Sequence, residues 1–237
     1  MNLTSAVVSV VALMSVFACT VTNTHGDGSS GSSGAPAPAS GDGGSSGNPA
    51  SAGDSGTTAA AAPPSATAAN VDIAGSCAAF AACGGNPQGT YDYTAGCVAN
   101  TFAAAKTQCP ALDTTNARVT VTGSLYFVGA ALERNANVKV SGSITVPESC
   151  SAGQCADVEA ALKSSFDTIT CTGSGACTCT ITKTTSVKNA TTFAVSGNSV
   201  TTDDGESYQI CAQTNALRYS GKSLGSESGS WELVKRP

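Results

Sequence analysis

Histidine is almost absent from this sequence: among 237 residues the only one is His25. The chain beyond it therefore has no imidazole to activate a serine or cysteine nucleophile, to act as a general base, or to bind a metal as a neutral ligand. We expect that the protein is not an enzyme and that it carries no cofactor.

Charged residues are also scarce, at 11% of the chain. All 11 Lys and Arg, and 13 of the 16 Asp and Glu, lie in residues 71–237, so this part of the chain is nearly neutral. It has no basic patch or stripe that would bind phosphates, and no nucleic-acid partner is expected. No apolar run after Met14 is long enough to span a bilayer as a helix.

Aromatic residues make up 5% of the chain, with 6 Phe, 5 Tyr and 1 Trp. Large side chains usually contribute most of the apolar area that a core buries. Because they are few here, we expect covalent cross-links to contribute much of the stability.

Cysteine is abundant: the chain has 11, and ten of them lie in residues 71–237. An even number in an exported chain indicates a disulfide framework, whose pairing the sequence leaves open. Cys177 and Cys179 would point to the same face of a strand, so we expect them to have different partners. A metal site that uses this pair, or Cys150 with Cys155, is the alternative, which oxidation of exported thiols disfavours. The ten cysteines are Cys77, Cys83, Cys97, Cys109, Cys150, Cys155, Cys171, Cys177, Cys179 and Cys211.

Residues 1–18 read as a signal peptide. Their apolar run at residues 6–16 is too short for a permanent membrane span and long enough for the core of a signal. It leads into Val16-Phe17-Ala18-Cys19, which resembles a bacterial lipobox. The resemblance implies cleavage before Cys19, attachment of fatty acids such as palmitate there, and anchorage in the outer membrane, since Thr20 is not the Asp that typically retains lipoproteins at the inner membrane. An ordinary signal with an incidental Cys19 is the alternative.

Residues 19–70 read as a disordered linker. From residue 20 to residue 70 the sequence contains no Lys, Arg, Leu, Ile, Phe, Tyr or Trp, and it is mostly Gly, Ser, Ala, Thr and Pro. Such a segment cannot bury enough apolar surface to offset the entropy of ordering. The remaining residues, 71–237, have the size of one ordinary domain.

The strand pattern of this domain predicts a mainly β fold. Residues 168–234 read as consecutive short hairpins, with the sharpest turns at Gly197-Asn198 and Asp204-Gly205. Earlier strands are predicted at 89–94, 118–129 and 137–147, and mid-strand Gly123 and Gly142 favour a bulge or bend. Short connections between successive strands predict an antiparallel up-and-down barrel.

Helical spacing of apolar residues predicts two short helices, at 96–109 and 150–166. A further helical turn is predicted at 76–83, before Gly84-Gly85-Asn86-Pro87 ends it.

Several motifs of this domain resemble the small lipocalin-like domains of bacterial lipoproteins. They are Gly89-Thr90-Tyr91 at a strand start, the segments SGNSVTT and ESYQICAQTNALRYS, and the closing WELVKR. The likeness covers residues 89–236 and implies a barrel with a binding or structural role and no catalysis. In that family a Trp–Arg contact closes one end of the barrel; here Tyr91 stands at the Trp position, and Trp231 with Arg236 is a candidate replacement.

Two functions remain for such a domain. The first is binding of a small apolar ligand, which needs an open cavity of about 300 Å³ or more. Its candidate lining residues are Tyr91, Tyr93, Tyr126 and Trp231. The second is a surface structural or protein-interaction module whose barrel is filled by its own side chains.

One acidic group stands close together in the sequence, at Asp203, Asp204 and Glu206. We interpret it as the polar tip of a hairpin, and a calcium or acid/base site is the alternative.

Overall fold

A computed structural model of the chain describes residues 63–99, 101–222 and 228–237. The predicted signal peptide, most of the predicted linker, Cys19 and His25 lie outside these residues.

The described chain is mainly β, with ten strands and three short helices in these ranges. The strands are β1 (Ala69–Ala74), β2 (Gly89–Ala99), β3 (Ala117–Val128), β4 (Ala131–Val146), β5 (Thr168–Thr172), β6 (Cys177–Ser196), β7 (Ser199–Thr202), β8 (Ser207–Ala212), β9 (Ala216–Lys222) and β10 (Ser228–Lys235). The helices are α1 (Ala103–Gln108), α2 (Glu148–Ser151) and α3 (Cys155–Leu162).

Alternation of side chains explains the strands. In β6, Cys177, Cys179 and Ile181 are completely buried, whereas the threonines between them face outward. Thr and Ile are β-branched and fit a pleated surface of which one face is buried. The outer faces of this sheet can therefore be rich in Thr and Ser without loss of the core.

The ten strands form one sheet in the order β4-β3-β1-β2-β10-β9-β8-β7-β6-β5. Two additional pairings, β4 with β6 and β3 with β2, close a ring of hydrogen-bonded strands. β5 pairs with residues 178–182 of β6, beside the ring. The pairing of β1 with β2 is parallel, and all other strand pairings are antiparallel. The largely antiparallel sheet agrees with the prediction from the short connections between strands.

Strand β1 was not predicted, because ANVDIA lies at the edge of the Ala-rich linker sequence. It starts at Ala69, two residues before the boundary placed from composition. It inserts between β2 and β3, parallel to the end of β2 and antiparallel to the start of β3.

The helix predictions need three corrections. The segment 76–83 is not helical; disulfides and a short backbone bridge of Gly84 to Cys211 hold it instead. Of the range 96–109, the first residues continue β2 to Ala99, and the helix is confined to α1. The range 150–166 contains α3, and the separate four-residue turn α2 precedes it. Residues 96–99 are a strand because they form hydrogen bonds with β1 on one side and with β10 on the other. This pairing outweighs the helix propensity of the Ala-rich sequence that follows.

The hairpin predictions hold with one exception. Turns occur at Gly197-Asn198, between β6 and β7, and at Asp204-Gly205, between β7 and β8. The exception is the first part of this region, where two predicted strands are one 20-residue strand, β6. β4 provides the reason, because its 16 residues pair with β6 along residues 177–192 without interruption.

Gly123 and Gly142 lie within strands as predicted, but no bulge marks them in the pairing of β3 with β4, which runs without interruption. Both have positive φ, at 124° and 118°, and a Cβ on either would collide with backbone atoms of the neighbouring chain segment. Glycine is required here for close approach of two backbones.

All ten cysteines of the described chain are in disulfides, which confirms the predicted framework. Cys177 bonds to Cys155 and Cys179 to Cys171, so these two cysteines have different partners, as expected. The other three pairs are Cys77–Cys97, Cys83–Cys211 and Cys109–Cys150.

Candidate functional site

The interior of the ring contains a cluster of aromatic rings from different strands. Tyr93 of β2 meets Trp231 of β10 edge to face, with ring centroids 5.8 Å apart. Trp231 stacks on Tyr219 of β9 at 6.4 Å, and Tyr219 meets Tyr208 of β8 at 5.9 Å. With Arg134 of β4, these four residues form what we call the interior cluster.

The polar atoms of Tyr93, Tyr219 and Trp231 lie within this cluster. The hydroxyls of Tyr93 and Tyr219 are 2.9 Å apart and share a hydrogen bond. Burial raises the pKa of Tyr93 well above its ordinary value, and the neighbouring Tyr219 raises it further. The indole Nε1 of Trp231 is buried and has no hydrogen-bond partner among the described residues.

Arg134 carries the charge of the cluster. Its guanidinium lies over the ring of Tyr208, with Cζ 5.6 Å from the centroid, and Nη2 donates a 3.5 Å hydrogen bond to the Tyr208 hydroxyl. Burial lowers the pKa of Arg134, but the neighbouring Tyr219, Tyr93 and Tyr208 raise it more, so the net pKa lies above the ordinary value. The side chain is therefore cationic at every physiological pH.

Little space remains inside the ring. The cavity that Arg134, Tyr208 and Tyr219 line has a volume of about 20 Å³. A volume of this size holds about one water-sized particle. A second small cavity, of about 40 Å³, is lined by Ile144 and Val146 of β4 and by Leu162 of α3.

The structure places three of the four candidate cavity-lining residues in the packed interior. Tyr91 and Tyr93 are 2% exposed and Trp231 is 1% exposed, and none of the three lines the 20 Å³ cavity. Tyr126 lies on the opposite face of β3 from buried Phe127 and is half-buried.

A second polar group joins the last strand to the start of the described chain. Arg236 donates two hydrogen bonds to the Asp92 carboxylate, at 2.6 Å and 3.0 Å, and a third to the Pro63 carbonyl at 2.7 Å. Ser124, which is 5% exposed, donates to Asp92 at 2.5 Å and accepts from the backbone N–H of Ser65 at 3.0 Å. Burial raises the pKa of Asp92, but the hydrogen bonds from Arg236 and Ser124 and the Arg236 charge lower it more, so the net pKa is below its ordinary value.

The proposed replacement pair, Trp231 with Arg236, is therefore wrong. Arg236 binds Asp92, and Trp231 packs on Tyr93 and Tyr219. The cation that meets Tyr91 is Lys235, whose Nζ lies 5.9 Å from the centre of the Tyr91 ring.

A larger cleft lies along β1, and none of the four candidate residues lines it. It has a volume of about 580 Å³ and is lined by β1, the segment 101–106 and the segment 114–119. Its charged side chains are Asp72, Lys106 and Arg118, and most of the other side chains that line it are apolar.

The acidic residues near 204 form a hairpin tip, as interpreted from sequence. Asp203 accepts a hydrogen bond from Thr191, and Asp204 accepts from Thr202 and from the backbone N–H of Glu206. The bond from Thr191 is the main cause of a lowered pKa at Asp203. Among the described residues, no group of three or more His, Cys, Asp or Glu is arranged to hold a metal ion.

Arg134 was not predicted as an interior residue from the sequence. The only available signal was its position in alternation with Leu132 and Ala136, which both face the interior. An Arg in an alternating strand pattern is usually assigned to the solvent-exposed face, because Arg is rarely buried without a partner.

The described helices are all too short to cross a membrane. No protein-family model, no curated protein and no solved structure matches this chain.

Proposed function

We propose that this chain is a non-catalytic lipoprotein of the cell envelope. A lipid on Cys19 anchors it to the outer membrane, and residues 71–237 form a lipocalin-like barrel filled by its own side chains. The domain acts as a structural or protein-interaction module at the end of the linker, residues 19–70.

The small interior space is the observation that carries this proposal. A site for a small apolar ligand needs about 300 Å³ or more. The cavity inside the ring has about 20 Å³. Enlarging it would require displacement of side chains such as Tyr208 and Tyr219, which line it and pack against each other in a core that has few aromatic residues.

The lipocalin-like assignment rests on the closed ring and on how its ends meet. β2 opens with Gly89-Thr90-Tyr91, and the end of β10 pairs with it, Lys235 opposite Tyr91. The Lys235 ammonium lies over the Tyr91 ring, where the family has an Arg and a Trp. Gly89 has a φ of 99°, a conformation that residues other than glycine rarely adopt, which accounts for glycine at the first position of the motif.

Binding of a small apolar ligand is the second candidate, and the cleft of about 580 Å³ along β1 is the observation that favours it. The size is suitable for a small molecule. Asp72, Lys106 and Arg118 line this cleft, and an apolar ligand would remove water from these charges without replacing it. We therefore rank this function below the filled module.

Mass spectrometry under non-denaturing conditions separates the two functions. The full-length protein, extracted in mild detergent, is expected to have the mass of the mature chain with five disulfides and its lipid anchor. A further stoichiometric mass that denaturation releases would contradict a filled module and support a ligand carrier.

Lipidation is tested independently with Cys19→Ala. Metabolic labelling with a fatty-acid analogue is expected to mark the native protein and to miss this variant. Equal labelling of both proteins would contradict the anchor, and recovery of the labelled native protein mainly with inner membranes would contradict the outer-membrane location.

A further inference from the structure

Arg134 brings a permanent positive charge into the ring, and no carboxylate of the described residues pairs with it. The residue is 7% exposed. The ion pairs among the described residues are Lys183 with Asp167 and Arg236 with Asp92, so Arg134 has no acidic partner there. An arginine does not lose its proton in a protein, and the tyrosine hydroxyls around Arg134 favour its charge as dipoles but supply no counter-charge.

Two hydrogen-bond donors at this position are left for another group. Arg134 Nε is buried and has no hydrogen-bond partner in the part of the chain that the structure describes. The Tyr208 hydroxyl accepts from Arg134 Nη2 at 3.5 Å, so its own proton remains available for donation. Both side chains line the same cavity.

The cavity selects the occupant by size. Its volume of about 20 Å³ is enough for one particle of roughly the size of water. Phosphate, sulfate and carboxylates have several heavy atoms and do not fit. Apart from Arg134, Tyr208 and Tyr219, the lining is apolar, from Leu125, Phe127, Leu132, Val200, Ile210 and Leu217.

We propose that this cavity is a binding site for a single monatomic anion, chloride in solution, held by the Nε–H of Arg134 and the hydroxyl of Tyr208. The anion supplies the missing counter-charge, and it accepts from donors that otherwise have no acceptor. This site is independent of the membrane anchor and adds a structural ion to the packed interior.

A water molecule is the competing occupant. Asn189 of β6 lies directly opposite Arg134 of β4, and its buried Oδ1 has no hydrogen-bond partner. A water could accept from Arg134 and donate to Asn189, but it would leave the charge of Arg134 uncompensated. The two occupants differ in one measurable respect, which is dependence on chloride concentration.

Thermal unfolding of the oxidised full-length protein tests this difference. Chloride is varied at constant ionic strength by exchange with gluconate, which is too large for the cavity. Once chloride exceeds its dissociation constant, each tenfold increase adds about 1.4 kcal/mol to the free energy of unfolding, which raises the Tm by roughly 3–6 °C. A Tm that is the same in chloride and in gluconate would overturn the proposal in favour of water.

Two variants connect the effect to the site. Arg134→Met keeps much of the volume and removes the charge, and its Tm is expected to lose the dependence on chloride. Tyr208→Phe keeps the ring under Arg134 and removes one donor, so the chloride response should begin at a higher concentration than in the native protein. An unchanged chloride response in Tyr208→Phe would contradict the site, and this holds even if Arg134→Met does not fold.

Bromide gives the position directly. Crystals grown with bromide in place of chloride are expected to have an anomalous scattering peak between Arg134 Nε and the Tyr208 hydroxyl. Density without an anomalous signal identifies a water and overturns the proposal. A bromide peak without any chloride dependence of the Tm also overturns it, because the ion would then bind at crystal concentration only.

Discussion

The disulfide Cys83–Cys211 closes the longest loop of the five, because its cysteines are 128 residues apart. The cross-links Cys77–Cys97, Cys109–Cys150 and Cys155–Cys177 shorten the path between its ends to about 57 residues of chain. A loop of this length restricts the unfolded chain by about 4.2 kcal/mol at room temperature. Cys171–Cys179, with a separation of 8, gives about 2.5 kcal/mol.

The perturbation is removal of one disulfide at a time by replacing both of its cysteines with alanine. The variant Cys83→Ala/Cys211→Ala is expected to lose about 4 kcal/mol of the free energy of unfolding, and Cys171→Ala/Cys179→Ala about 2.5 kcal/mol. Loss of packing around buried sulfur atoms would favour the opposite order, in which the Cys171→Ala/Cys179→Ala variant loses more stability. Cys171 and Cys179 are both buried, whereas Cys83 is exposed, so the control loses more packing.

Urea unfolding of the full-length proteins, followed by Trp231 fluorescence, measures both losses. Trp231 is the only tryptophan of the chain and is 1% exposed, so its emission reports opening of the core. Equal losses, or a larger loss in Cys171→Ala/Cys179→Ala, would refute the argument from loop length. Packing around the sulfur atoms would then be the main contribution of these disulfides.

Three further predictions concern the described residues. Full reduction at neutral pH and room temperature is expected to unfold the protein, because several disulfides together equal the net stability of a typical domain; an unchanged circular dichroism spectrum and Tm would contradict this. Asp92→Asn is expected to lower the free energy of unfolding by about 1–2 kcal/mol, and Arg236→Met is expected to lower it by a similar amount, because both remove the same ion pair. Folding lowers the pKa of Asp92, so its contribution is present above the unfolded pKa, near 4, and is lost as the pH falls through the folded pKa; an equally steep acid dependence of stability in Asp92→Asn would exclude this group as a cause. Gly123→Ala is expected to cost about 2–3 kcal/mol, and more than Gly129→Ala, because Gly129 also has positive φ but has open space around its Cβ position; equal Tm values for the two variants would count against close backbone approach at Gly123.

The sequence predicts the strands of this domain well where turn residues and alternation act together. Gly197-Asn198 and Asp204-Gly205 mark their turns correctly, because each supplies positive φ between two β-branched segments. The sequence did not predict strand β1, because its pairing partners are distant in the chain. It also fails at residues 96–99, where alanine favours a helix and pairing with β1 and β10 imposes a strand.

The interior could be predicted only in part. Tyr91, Tyr93 and Trp231 are recognisable as interior residues from alternation, but alternation does not tell whether they surround a cavity or fill it. That depends on contacts between rings of strands far apart in sequence, such as Tyr93 with Trp231. The disulfide pairing is likewise a property of the folded chain, except for the exclusion of a shared partner for Cys177 and Cys179.

Titration of the full-length protein with a fluorescent fatty acid tests the central claim, which is that the protein fills its own interior. An acceptor that entered the ring would lie next to Trp231 and would quench its emission by energy transfer. We expect Trp231 emission to remain unchanged up to probe concentrations at which the probe binds nonspecifically. Saturable quenching with one probe per chain would contradict the filled interior and would make the protein a ligand carrier.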